Sequence, residues 1–273
     1  MVKNKPIFLI PFIISIVGLG LIQRNAFLPN EYKQIKSAVD RLARHNNLGN
    51  RKIVFTITPG SEGYYLAKQM YLCEKEECNT FSRIDPFKRY KDDQLNELNR
   101  QSYLWGLSNA FASPNGTISI ARTSFKVSDN LGYLACQLAH EIAHVKLNHQ
   151  FEHSYKLAQI KTKGADEIKT IGYQLRRQDE LEADREGARM VIRAGFPSDT
   201  CIRSFNFSAR SRGHYHEDKP DSTHPGHTVR VTHLADFIEK NQKQIAVEKR
   251  RKRTHRWSYS RQLNALTFSP DVN

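Results

Sequence analysis

Five consecutive residues, His140-Glu141-Ile142-Ala143-His144, constrain this chain more than any others. Around them Leu131, Leu134, Leu138, Ile142 and Val145 recur at steps of three and four, which predicts a helix from about 130 to 148 with one buried face. Ser128-Asp129 offers its N-cap. Four residues advance a helix by about 400°, so the two imidazoles lie about 40° apart and one turn from each other. Both rings then reach a single Zn²⁺, and Glu141 is placed to act on a water rather than to ligate. The competing reading is a buried helix with incidental histidines.

A catalytic zinc needs a third protein ligand and an open position. A second long helix is expected from about Asp166 to Ala194, ended by Gly195 and Pro197. It carries Asp179, Glu180, Glu182, Asp184 and Glu186, so the ligand is chosen by face. Glu180 shares its stripe with Ala183, Asp184, Gly187, Ala188 and Val191, mostly small residues that let two helices approach closely. Glu182 shares a charged side with Arg185, Glu186 and Arg189, which reads as exposed. The expected ligand set is therefore His140, His144 and Glu180, holding one Zn²⁺ per chain with Glu141 as catalytic base. Asp184, one turn on, can accept from a ligand histidine's second nitrogen, or form an ordinary helix ion pair.

The rest of the chain is less explicit. Helical spacing of Ile35, Val39 and Leu42 and a strand at 53–57 precede a poorly readable stretch. Pro114-Asn115-Gly116 predicts a turn, with a strand at 117–120 after it, and residues 210–227 read as a polar loop before a last helix near Thr228.

His140-Glu-Ile-Ala-His144 followed by Glu180-Leu-Glu-Ala-Asp184 resembles the HtpX-like and CAAX-prenyl-protease-like zinc metallopeptidases, peptidase family M48. Asn109-Ala-Phe-Ala112, the turn at 114–116 and the strand to Arg122 resemble that family's stretch before the zinc helix. Thr223-His224-Pro225 with Arg230 resembles its C-terminal motif. The likeness spans roughly 105–240, although Thr123-Ser124 replaces a usual glycine and no set of several membrane spans is present. It implies an α+β, mainly helical, zincin-like (gluzincin) domain with a small sheet beside the zinc helix. It also implies hydrolysis of peptide bonds in polypeptide substrates. Asn109, Ile118 and Ile120 would hold an extended substrate by strand addition. His224 would plug the metal or stabilise the oxyanion, and Arg230 would orient its loop. With the site so filled, His149, His153, His214, His216 and His227 read as solvated.

Composition limits the alternatives. Hydrophobic residues are 39% and charged residues 26%, as in a globular protein. The net charge of +14 is concentrated, because nine Lys/Arg against one Glu between residues 240 and 262 make a net +8. We therefore expect a basic tail over 243–273, able to meet anionic lipid, after a peptidase domain over 25–242. Nucleic acid is not an expected partner of an exported chain. Export follows from the apolar run 6–22 behind Lys3 and Lys5, read as a membrane anchor or a cleaved signal within 1–24. Either puts the domain on the extracytoplasmic side of a cell envelope. Cys73 and Cys78 are close enough for a local disulfide, with free thiols as the alternative, whereas Cys136 and Cys201 read as small buried residues. The rival function is a zinc-bound but proteolytically quiet adapter or chaperone, its cleft covered by the 210–227 loop.

Overall fold

The computed structural model describes residues 28–58, 110–121, 124–127, 130–160, 164–211, 217–247 and 254–271. The apolar run, Cys73, Cys78, Asn109 and the basic run 249–253 lie outside them. Among the described residues no helix is long and apolar enough to cross a membrane.

The architecture is mainly helical with one small mixed sheet, as expected. Helix α1 (Asn30–Ala43) buries Tyr32, Ile35, Val39 and Leu42, the stripe visible in the sequence. Strand β1 (Ile53–Thr58) follows, then β2 (Ala110–Ala112) and β3 (Thr117–Ala121). β2 and β3 are antiparallel across the Pro114-Asn115-Gly116 turn. Gly116 has φ +85°, and a Cβ there would lie 2.8 Å from the Lys52 carbonyl oxygen, so both backbone and space demand glycine. β1 pairs with β3 in parallel.

The C-terminal segment overturns an expectation. Residues 243–247 belong to the last helix, and β4 (His255–Ser260) and β5 (Ala265–Pro270) are not tail. They form a hairpin that completes the sheet in the order β2-β3-β1-β5-β4. β5 runs antiparallel to β1, with Phe268 opposite Ile53 and Leu266 opposite Phe55. The charge count concealed alternation: Arg256 points to solvent while Trp257 packs on Phe55 and Phe268. The folded unit therefore extends to about residue 271, and the 242/243 boundary falls inside the last helix.

Asp40 on α1 fastens this hairpin. Its carboxylate accepts from Trp257 Nε1 at 2.7 Å and Lys36 Nζ at 2.6 Å, and His255 Nε2 lies 2.8 Å away. Burial opposes its ionisation, but the bonds from Lys36, His255 and Trp257 outweigh that and hold the carboxyl below its usual range. A depressed carboxyl adds stability that is present above the unfolded pKa and lost as pH falls through the folded one. Asp40→Ala should thus cost about 1–3 kcal/mol at neutral pH, by leaving three part-buried donors without their acceptor. Denaturant unfolding of both proteins should show that difference shrinking as pH drops below about 4. A difference that stays constant down to acid pH would count against this role.

Helix α3 (Leu131–Leu147) follows a single turn, α2 (Ser124–Val127). Asn130 caps α3, its side chain accepting from Gly132 N at 2.8 Å; the expected cap at 128–129 lies outside the described residues. Helix α4 (His149–Gln159) starts directly after Asn148, and α5 (Ala165–Arg193), α6 (Thr200–Ser211) and α7 (His227–Val247) follow. Cys136 on α3 and Cys201 on α6 are joined in a disulfide, where two unpaired buried residues were expected. It closes a loop of sequence separation 65, worth about 4 kcal/mol on the chain-entropy account.

Candidate metal centre

α3 and α5 cross where both present small residues. Ala139, Ala183 and Ala188 are buried. A Cβ on Gly187 would lie 3.1 Å from His140 N and 3.3 Å from His140 Cα, so the glycine sets how closely α5 approaches the first histidine. This contact brings Glu180 to the histidine pair. His140 Nε2 and His144 Nε2 are 3.1 Å apart, and Glu180 Oε2 and Oε1 lie 3.3 and 3.4 Å from them respectively. The sequence-expected trio is thus assembled, with three ligand atoms within 4.8 Å of one another.

Two observations test whether a divalent cation suits this trio. Glu180 Oε2 is buried and accepts no hydrogen bond among the described residues. His140 is also driven toward the cationic form: burial opposes its charge, but Glu180 and Asp184 outweigh burial and raise it to about 10. A buried site that attracts positive charge and leaves a carboxylate oxygen unsatisfied fits a metal. Two imidazoles and one carboxylate form a donor set suited to zinc. Burial likewise opposes charge on Glu180, yet neighbouring His140 and Arg230 hold it well below the usual range.

The flanking groups follow the expected pattern in part. His140 Nδ1 lies 2.9 Å from Asp184 Oδ1. Arg230 on α7 grips the same carboxylate, Nε donating to Oδ2 at 2.8 Å and Nη2 to Oδ1 at 2.6 Å. Arg230 therefore holds Asp184 as well as the chain that follows the 217–226 loop, and a histidine–carboxylate contact becomes a three-residue chain. Glu141 is 7% exposed, and burial raises its pKa, as a general base near neutral pH requires.

His224 reaches the cluster from the loop, its Nε2 3.4 Å from Glu180 Oε1, while its side chain stays 61% exposed. The loop is pinned to α5 one turn before Glu180. Arg177 donates through Nη2 to both oxygens of Asp218, at 2.7 and 2.8 Å, and through Nη1 to Lys219 O at 2.9 Å. Neither Arg177 nor Asp218 was singled out in the sequence, since ion pairs 41 residues apart leave no spacing signal.

Two expectations need correction. Ile118 and Ile120 cannot hold substrate, because both are fully buried and β3 is paired on both sides. Among the described residues the sheet has two edges, β4 and β2, and it is β2 whose Ala110, Phe111 and Ala112 line the cleft beside His140 and Glu141. His149 and His153 are not solvated but 5% and 8% exposed. They sit on the inner face of α4, a helix without an apolar stripe, which is why periodicity missed it. His149 Nδ1 lies 2.9 Å from His144 Nδ1, and burial followed by the nearby His144 pushes its pKa down to about 4. Finally, Glu182 is half exposed as expected, yet its Oε2 lies 3.5 Å from His149 Nε2. Asn109, His214 and His216 lie outside the described residues.

The family model described as Peptidase family M48 matches residues 84–165, which include α3 with both histidines and Glu141. This is the family that the motifs resemble, and its model ends before Glu180. No curated protein and no solved structure matches the chain.

Proposed function

Proceeding from the match to peptidase family M48, we propose that this chain is a zinc metalloendopeptidase of zincin-like fold, acting on polypeptides outside the cytosol. The observation that carries the reading is the convergence of His140, His144 and Glu180 beside buried Glu141. Zinc, when bound, would supply Lewis-acid polarisation of the scissile carbonyl and an acidified water. Glu141 takes the water's proton on its carboxylate and returns it to the leaving amine. The β2 edge aligns an extended substrate by main-chain hydrogen bonds, and exposed Phe111 offers it an apolar contact. Arg230 neutralises Asp184, which in turn orients His140. The Cys136–Cys201 disulfide supports an oxidising compartment, consistent with an envelope location and a role in protein quality control there.

His224 beside Glu180 favours one second reading, a covered site that binds zinc without cleaving. A single assay separates the two. The purified chain, stripped by chelator and reloaded with one equivalent of zinc, should cleave a reduced, unfolded protein, and the stripped chain should not. Zinc uptake without any cleavage would favour the adapter.

A further inference from the structure

His149 stands five residues beyond His144. On one continuous helix five residues advance about 500°, which would turn His149 about 140° away from His144. The chain avoids this by breaking the helix. Asn148 adopts φ 61°, ψ 30°, the left-handed conformation that asparagine tolerates, and α4 begins at the next residue. Arg51 Nη1 donates to the Asn148 side chain at 3.0 Å and holds the corner. The result is an edge-to-face pair of imidazoles, centroids 4.9 Å apart at 78°, with the two Nδ1 atoms 2.9 Å apart.

Each neutral imidazole has one donor and one acceptor, so this contact dictates tautomers. His144 turns Nε2 toward Glu180 and the other ligand atoms, leaving its proton on Nδ1. His149 Nδ1 must then be the acceptor, and its proton sits on Nε2. That nitrogen is buried, has no hydrogen-bond partner among the described residues, and has Glu182 Oε2 3.5 Å away. We propose that His149 is a positioning residue for the metal site: it accepts the Nδ1 proton of His144 and thereby aims His144 Nε2 at the zinc, with Glu182 backing it. The role rests on the zinc reading above. It makes the two ligand histidines unequal, because His140 is held by a carboxylate clamped to Arg230 and His144 by a neutral ring.

Outer partners of ligand histidines typically contribute about 10–100-fold in metal affinity. Zinc dissociation constants, measured by chelator competition, should rise about 10–100-fold in His149→Phe, which keeps a ring but loses the acceptor. His149→Asn places an amide oxygen near the old Nδ1 and should restore most of that affinity. A loss in His149→Phe that His149→Asn does not recover, or wild-type affinity in His149→Phe, overturns the proposal. Ring ¹⁵N spectra of the zinc-loaded wild type provide the test that needs no variant to fold. His149 should carry its proton on Nε2, and a proton on its Nδ1 overturns the role. A wild type that takes up no zinc in the same titration sinks the metallopeptidase reading itself, and this role with it.

Discussion

Glu141→Gln is expected to leave zinc near one per chain while peptide hydrolysis falls by about 10²–10⁴-fold. The substitution keeps size and removes only the proton acceptor, and Glu141 makes none of the close contacts among the ligand atoms. Glu180→Ala should do the reverse at the level of metal. It deletes one of three protein ligands and leaves His140, His144 and Arg230 crowded without their shared carboxylate. Zinc should then be lost or bound far more weakly, and activity with it, while far-UV circular dichroism stays native-like. Metal analysis and a cleavage assay on both purified proteins decide the assignment. Zinc retained by Glu180→Ala but lost from Glu141→Gln would mean that ligand and base have been exchanged.

Removing the C-terminal hairpin should be as damaging as removing the site. Truncation after residue 253 deletes β4 and β5, exposes Ile53 and Phe55, and leaves one edge of β1 unpaired. Leu266 and Phe268 are each 2% exposed, and full burial of such side chains contributes about 1.5–3 kcal/mol apiece. With Trp257 and the Asp40 contacts added, the loss is comparable to the whole stability of a domain, about 5–15 kcal/mol. The truncated chain should lack a cooperative unfolding transition and bind no zinc. Phe268→Ala in the full chain gives a graded version, costing about 3–5 kcal/mol. A truncated protein that unfolds cooperatively and holds zinc would restore the view of this segment as a dispensable tail.

The hairpin shows where composition misleads. Nine basic residues between 240 and 262 suggested one solvated run, but the run at 249–253 and the alternating strand at 255–260 are different things. In the strand, Arg256 faces water while Trp257 packs, partly buried, against the core, a period of two that a charge sum averages away. Ile118 and Ile120 were misread for a related reason. Their alternation marked a strand correctly, but whether a strand lies at an edge or in the centre depends on partners elsewhere in the chain. Here those partners are β1 and β2, and among the described residues the edge beside the cleft is Ala110–Ala112.

Residue order alone was enough for the local chemistry. The i, i+4 spacing of His140 and His144, the small-residue stripe around Glu180 and the Gly195-Pro197 stop are short-range features, and helix geometry converts them into placement. That is why the grouping of His140, His144, Glu180 and Asp184 was legible before any fold was known. Folding in three dimensions settled what touches that trio from a distance. It joined Cys136 to Cys201, set Arg230 on Asp184, pinned the His224 loop through Arg177 and Asp218, and turned His149 back onto His144 at Asn148. Each of these depends on a corner, a crossover or a helix contact between segments far apart, or on one backbone torsion at Asn148. No residue spacing encodes such contacts, so only the folded chain reveals them.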